Sequence, residues 1–295
     1  MYFNPLAFRE SFPYSFLKEE LMDFINATIL GIVEGITEFL PISSTGHLII
    51  VNQFVNFTDA SFAKMFDIVI QLGAILAVVV YFWNRLWPFG AGKNRQERST
   101  TFLTWKKVIV GVIPAVIIGA KFGHLIEEKL FNPNIVAGAL IIGGIIIILV
   151  ESRKKNARFA DITSISYGTA VAIGFCQCLA MVPGTSRSAA TIIGAMLLGA
   201  SRIAAAEFSF FLAIPTMAAA TVYSLWKHHA SITVHQVELT AVGFLISFLV
   251  AWAVIAGFMN YIRKNDFRPF GYYRVALGAA IIVLLTKHVL TGGAM

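Results

Sequence analysis

The segment EGITEFLPISSTGH (34–47) gathers two carboxylates, three hydroxyls and an imidazole within one short stretch. Glu34 and Glu38 are four residues apart, so on a helix their carboxylates share one face. Two carboxylates in a low-dielectric setting repel, so one must hold a proton or both must share a cation. Pro41 ends that helix. Ser43, Ser44 and Thr45 suit the first turn of the next one, where hydroxyls and free backbone N–H groups favour an anion. Gly46 lets a backbone or ligand approach closely, and His47 adds a titratable donor within one turn. Such a set suits a site for a diphosphate or another compact anion; on a diphosphate it would do phosphoryl transfer, with the glutamates as base or metal ligands, Ser44 as nucleophile, and His47 as the alternative nucleophile or as acid to the leaving group. The residues alone leave the choice between Ser44 and His47 open.

A second polar block, PGTSRS (183–188), has the same character: a proline, then small hydroxyl residues. Aligned on the first block, Ser186 corresponds to Ser44 and Arg187 to Thr45. A guanidinium matches phosphate oxygens bidentately. The competing reading of Arg187 is a structural ion pair with Glu34 or Glu38. Ser43, Thr45, Gly46, Thr185, Ser186 and Ser188 complete the candidate phosphate-binding set. Isolated buried glutamates can be neutral packing residues, and Ser and Thr often bond back to their own helix. So many ionisable and hydroxyl groups inside apolar sequence argue for a working site.

The elements that must position these groups are membrane helices. Of 295 residues, 57% are hydrophobic and only 13% charged, where soluble domains carry about a quarter charged. The net charge of +7 does not point to nucleic acid, because the basic residues cluster in short loops between apolar runs. Cys176 and Cys178 share one apolar segment and read as small buried residues. Six stretches are long enough to span a bilayer: 66–87, 104–124, 133–151, 203–226, 237–260 and 270–290. Two more apolar regions, 22–57 and 166–200, are broken at Pro41 and Pro183, and each half is expected to be too short to span. Broken helices are tolerated at membrane depth where they line a cavity.

The broken regions resemble each other, and LFNPNIVAGALIIGG (130–144) echoes DFRPFGYYRVALGAA (266–280). The expected architecture is an all-α polytopic membrane protein of two inverted-topology repeats, each a re-entrant helix pair plus three transmembrane helices. The repeats run over 22–151 and 166–290. A basic linker, 152–165, joins them, and residues 1–21 form an N-terminal extension without the features of a signal peptide. Loops 85–107, 152–165 and 261–269 hold most of the lysines and arginines, so that side is expected to be cytoplasmic. The first re-entrant pair then opens to the periplasm. Weaker features are Glu207, Asp67 and Gln71, which read as structural or as supports behind the site, the glycine run 138–144 as a packing surface, and His228, His229 and His235 as solvated residues in or beside a loop.

The EGxTEFLPxSSTGH and PGxSRS blocks and the spans around them resemble the undecaprenyl-diphosphate phosphatase family linked to bacitracin resistance. The resemblance covers about residues 22–290 and leaves the N-terminal extension outside. It implies hydrolysis of undecaprenyl diphosphate to undecaprenyl phosphate and inorganic phosphate, which recycles the lipid carrier for peptidoglycan. It implies a multi-pass protein of the bacterial inner membrane. It places the catalytic glutamates on Glu34 and Glu38, the serine and histidine on Ser44 and His47, and the arginine on Arg187. It further implies a divalent cation, Mg2+ or Ca2+, for which Glu34 and Glu38 are the candidate ligands. A homodimer is compatible with such a chain. A similarity to acid-phosphatase-type lipid phosphatases fails, because Ile193 and Leu197 stand where that pattern needs His and Asp. The remaining rival is a flippase or transporter of a phosphorylated prenyl lipid, since inverted repeats with broken helices also build transporters.

Overall fold

Capping chemistry sets where the helices begin. The computed structural model describes residues 14–55, 57, 59–153, 157–228 and 232–287. The chain forms α1 (Tyr14–Thr37), α2 (Ser44–Val51), α3 (Ala60–Tyr81), α4 (Trp83–Leu86), α5 (Arg95–Leu130) and α6 (Pro133–Glu151). It continues through α7 (Tyr167–Cys178), α8 (Arg187–Leu197), α9 (Arg202–His228), α10 (Val234–Ile262) and α11 (Arg268–Thr286). Among the described residues the one β feature is an isolated bridge between Phe159 and Ala200.

Asp59 starts α3 by accepting from the N–H groups of Ser61 and Phe62. This cap moves the first span back to Ala60 from the expected 66 and puts Asp67 two turns inside it. Asn132 caps α6 ahead of Pro133 at the first helical position, where its missing N–H costs nothing. Thr233 and Gln236 form a capping box at α10.

Six helices are long and apolar enough to cross a bilayer: Ala60–Tyr81, Arg95–Ile126, Pro133–Glu151, Arg202–Val222, Val234–Ile262 and Arg268–Thr286. They match the six expected stretches, and the protein is a multi-pass membrane protein. Its outward surface is apolar, with Ile113, Ile117, Ile142, Leu149, Leu245 and Trp252 exposed. Lipid is the natural solvent for such a face. The other apolar regions break into pairs, α1 with α2 and α7 with α8. Helix α1 is longer than expected. Its 24 residues begin at Tyr14, so the boundary read at residue 22 falls inside a helix.

At the centre lies α9, where Phe208, Phe210, Phe211 and Leu212 are fully buried. Edge-to-face contacts link Phe210 to Phe39 (centroids 5.1 Å apart) and Phe211 to Phe82 (5.3 Å). Such offset pairs add to the gain from burial and fix the chain beside Glu38 against α9. The main flanking pairs are α1 with α10, α3 with α10, α5 with α7, and α6 with α11. Small residues permit the last of these. A Cβ on Gly144 would come within 2.6 Å of the Gly271 carbonyl oxygen, so only glycine lets the backbones approach so closely. The glycine run 138–144 is therefore a packing surface in part only. A side chain at Gly143 would collide with the Arg274 guanidinium, and Gly138 faces open space.

Candidate active site

Both proline breaks end in the same local geometry. After α1 stops at Thr37, the chain turns through Pro41 and enters α2 with Ser43 at φ 76° and ψ 102°. After Pro183, Gly184 takes φ +88°, and Ser186 enters α8 at φ 70° and ψ 120°. Among the described residues, Ser43 and Ser186 are the two non-glycine residues with positive φ. That conformation is strained for a residue with a Cβ and clusters at functional sites. Each serine repays part of the strain by capping. Ser43 Oγ accepts from Gly46 N at 3.3 Å, and Ser186 Oγ accepts from Ala189 N at 3.2 Å.

The caps pair Ser186 with Ser43 and Arg187 with Ser44, one position off the alignment read from the sequence, and the residue after each cap carries the candidate reactive group. The Ser44 hydroxyl, at the start of α2, donates to Glu38 Oε2 at 2.9 Å. Arg187, at the start of α8, donates from Nη2 to Glu38 Oε1 at 3.1 Å and from Nη1 to the Ser209 carbonyl at 3.1 Å. The Arg187 guanidinium also lies 5.4 Å from the centre of the Phe39 ring. The two breaks thus meet at one carboxylate, of which 8% is exposed against 11% for the Arg187 side chain. The ion pair weighed for Arg187 does form, and with Glu38. It leaves Arg187 Nε without a hydrogen-bond partner among the described residues, so the guanidinium keeps donor capacity for a ligand.

Glu34 is fully buried, and neither carboxylate oxygen finds a hydrogen-bond partner among the described residues. Its charge interacts with Glu38, Asp67 and Arg187. Asp67, which the sequence left as either structural or a support behind the site, is part of the electrostatic surroundings of Glu34. Ser188 donates to the Leu40 carbonyl at 2.9 Å and lies 3.0 Å from Ser186 Oγ, which ties the two breaks together. Ser43 and Ser186 spend their hydroxyls on caps. Gly46 is approached closely by Leu140, which a Cβ there would meet at 2.9 Å. Thr45 and Thr185 flank the two caps, and the Thr185 N–H closes a turn onto the Val182 carbonyl.

His47 is engaged at both nitrogens: Nδ1 is 2.7 Å from the Ser43 carbonyl and Nε2 is 2.7 Å from the Tyr273 hydroxyl. Tyr273 and its neighbour Arg274 are residues that the sequence reading passed over. Arg274 has no exposed surface and donates to four carbonyls: Gly184 (3.0 Å), Ala139 (3.1 Å), Pro41 (3.4 Å) and Leu140 (3.4 Å). One guanidinium thus holds the backbone of both breaks against α6. The signal was present in the sequence, since an arginine within an apolar span marks a site by default. It was hidden because Arg274 lay in the stretch read as a repeat echo.

Glu207 turns to a different partner. It is buried and pairs with Arg85, which also reaches Asp161 of the linker at 2.9 Å. Partial burial by itself would raise the Asp161 carboxyl, but the Thr163 N–H and Arg85 outweigh it and hold it below the ordinary range. Cavities of about 240 and 310 Å³ flank Arg85 rather than Glu38. His235 lies beside the loop, in the first turn of α10, and is part-buried rather than fully solvated, 3.5 Å from Asp23 and edge-on to Phe24. His228 ends α9, and His229 lies outside the described residues.

The chain is similar to known proteins over most of its length. Residues 27–280 match the family described as bacitracin resistance protein BacA. The undecaprenyl-diphosphatase of Limosilactobacillus fermentum is 48% identical over 268 residues, covering 89% of this chain and 97% of that one. The undecaprenyl-diphosphatase 1 of Clostridioides difficile is 48% identical over 264 residues, covering 89% and 96%. The undecaprenyl-diphosphatase of Rhodopseudomonas palustris is 44% identical over 265 residues, covering 90% and 98%. The match runs through both proline breaks and into the last of the six spans, and the chain belongs to the bacitracin resistance protein BacA family.

Proposed function

We propose that this protein hydrolyses undecaprenyl diphosphate to undecaprenyl phosphate and inorganic phosphate, with Ser44 as nucleophile and Glu38 as its base. The observation that carries the reading is the Ser44–Glu38–Arg187 chain, in which one carboxylate accepts from the candidate nucleophile and is held by a guanidinium. The names of the relatives give the same substrate class.

In the first step Ser44 Oγ attacks the terminal phosphorus and its proton passes to Glu38. The bond from phosphorus to the bridging oxygen breaks, and undecaprenyl phosphate leaves. Glu38 passes its proton to the departing oxygen and is a base again when water attacks the phosphoserine; it then takes a proton from the water, the bond from phosphorus to Ser44 Oγ breaks, Oγ recovers the proton from Glu38, and phosphate and free Ser44 result. Arg187 and the N-termini of α2 and α8 stabilise the charge on the transferring group. His47 is the less suited nucleophile, because both its nitrogens are already engaged.

A divalent cation such as Mg2+ or Ca2+ fits the residues present. Glu34 offers two unpartnered buried oxygens beside Glu38, and Mg2+ is commonly bound by one or two carboxylates plus substrate phosphates. When bound there it would neutralise phosphate charge.

The proposed architecture is a pair of inverted repeats, 22–151 and 166–290, joined by the linker 152–165, with α1–α2 and α7–α8 as re-entrant pairs. Three features support it: the paired serine caps, the paired proline breaks, and the packing of α1 on α10, which mirrors that of α7 on α5. The distribution of basic residues supports an inner-membrane protein with linker and Arg85 cytoplasmic and α2 toward the periplasm. The ligand is a lipid in the bilayer rather than a nucleic acid, and the site is complete within one chain, so catalysis does not call for a homodimer.

The test is phosphate release from undecaprenyl diphosphate by the purified protein in detergent, with and without chelator. Rapid release that chelation suppresses is expected. Lipid movement across vesicles without phosphate release would instead support a flippase.

A further inference from the structure

The two hydrogen bonds of His47 fix more than its position. A carbonyl oxygen only accepts, so the contact between Nδ1 and the Ser43 carbonyl (2.7 Å) requires the proton on Nδ1. In the neutral ring, Nε2 then carries the lone pair, and the Tyr273 hydroxyl at 2.7 Å must donate to it. The two ring planes lie 8° apart with centroids separated by 5.6 Å, so the rings are nearly parallel but too far apart to stack face on face, and the hydroxyl is what joins them. Tyr273 itself is 45% exposed, and a hydroxyl in that setting has no need of a buried partner. The bond is thus of use to His47 rather than to Tyr273.

Helix α11 makes this placement firm. Tyr273 and Arg274 are consecutive, so they leave the helix about 100° apart. Arg274 points inward to the carbonyls of Pro41 and Gly184, while Tyr273 points to α2. The helix that pins both breaks therefore also sets where the tyrosine hydroxyl stands.

We propose that Tyr273 is a positioning residue of this site: its hydroxyl caps Nε2 of His47, fixes the Nδ1–H tautomer, and keeps the imidazole lone pair away from phosphorus while Ser44 attacks. The kinetic part of this proposal rests on the phosphatase reading, whereas the cap itself does not.

Two measurements on Tyr273→Phe, which retains the ring and removes only the hydroxyl, test it. The first is modification of His47 by diethyl pyrocarbonate at fixed pH, followed by mass spectrometry. His124, whose side chain is 94% exposed, serves as internal reference. Uncovering the Nε2 lone pair should speed the reaction at His47 relative to His124 by about tenfold, a typical reach for one lost hydrogen bond of about 1.4 kcal/mol. The second is phosphate release. Tyr273→Phe should lower kcat about tenfold with KM within about twofold, as expected for a change that acts on the transition state rather than on substrate binding. In a His47→Ala background the same change should alter kcat less than about twofold, because the residue it acts through is gone. Equal modification rates in Tyr273→Phe and parent would overturn the cap. An equal kcat loss with and without His47 would overturn its action through His47. If the parent protein releases no phosphate at all, the proposed function fails, while the modification rates still decide the cap.

Discussion

Replacing Arg274 by methionine should loosen both proline breaks at once. The guanidinium makes two bonds of ordinary length, to Gly184 (3.0 Å) and Ala139 (3.1 Å), and two long ones of 3.4 Å to Pro41 and Leu140. A hydrogen bond from a charged donor contributes about 1.5–3 kcal/mol, so the two good bonds alone amount to about 3–6 kcal/mol. Methionine matches much of the volume but takes this donor from the Pro41 and Gly184 turn carbonyls in a buried setting, whereas Ala139 and Leu140 keep their donors within α6. The Pro41 and Gly184 carbonyls belong to the turns that deliver Ser44 and Arg187, so the loss should reach the chemistry as well. A shift of about 1 Å between such groups can cost about a hundredfold in rate. The assay is unfolding free energy by SDS titration in mixed micelles, together with phosphate release from undecaprenyl diphosphate. Arg274→Lys keeps the charge and should fall between parent and Arg274→Met in both. A loss of stability below about 1 kcal/mol with parental turnover in Arg274→Met would refute the argument that one buried guanidinium sets the site.

Ser44→Ala should abolish turnover with substrate affinity largely kept, since loss of a nucleophile acts on the transition state; rapid-quench mass spectrometry should find phosphate on Ser44 in the parent, and finding it on His47 would reverse the assignment. Arg187→Lys should lower turnover sharply with the fold intact, because an ammonium cannot span Glu38, the Ser209 carbonyl and a phosphate together; near-parental kcat would show that the fork is not needed. Gly184→Ala should destabilise the protein by more than about 2 kcal/mol, combining a positive φ with a collision: the added Cβ would lie 2.5 Å from the Val136 carbonyl oxygen. An unchanged SDS midpoint would argue against both effects.

The sequence by itself determined the class and singled out the candidate reactive groups. Span length is set by bilayer thickness, and a proline with small hydroxyl residues cannot continue a helix, so the six spans and two breaks follow from composition and local sterics. Glu34, Glu38, Ser44, His47 and Arg187 stood out because ionisable groups are costly in apolar sequence. Local rules also had limits. The start of α3 moved because Asp59 caps it, and α1 ran back to Tyr14 because helix continues where nothing breaks it.

Only tertiary structure decided how these groups are paired. Arg187 and Glu38 are far apart in the chain, and their 3.1 Å contact exists because two strained turns meet beside α9. Glu207 went to Arg85 rather than to the site, and Asp67 came within range of Glu34. Arg274 and Tyr273 carry no local pattern that names their partners, because those partners are carbonyls and a ring nitrogen on other helices. An electrostatic or hydrogen-bonding role of that kind depends on distance in space. Periodicity along the chain fixes which face a residue occupies, and the packing of α11 against α6 and α2 fixes what that face meets.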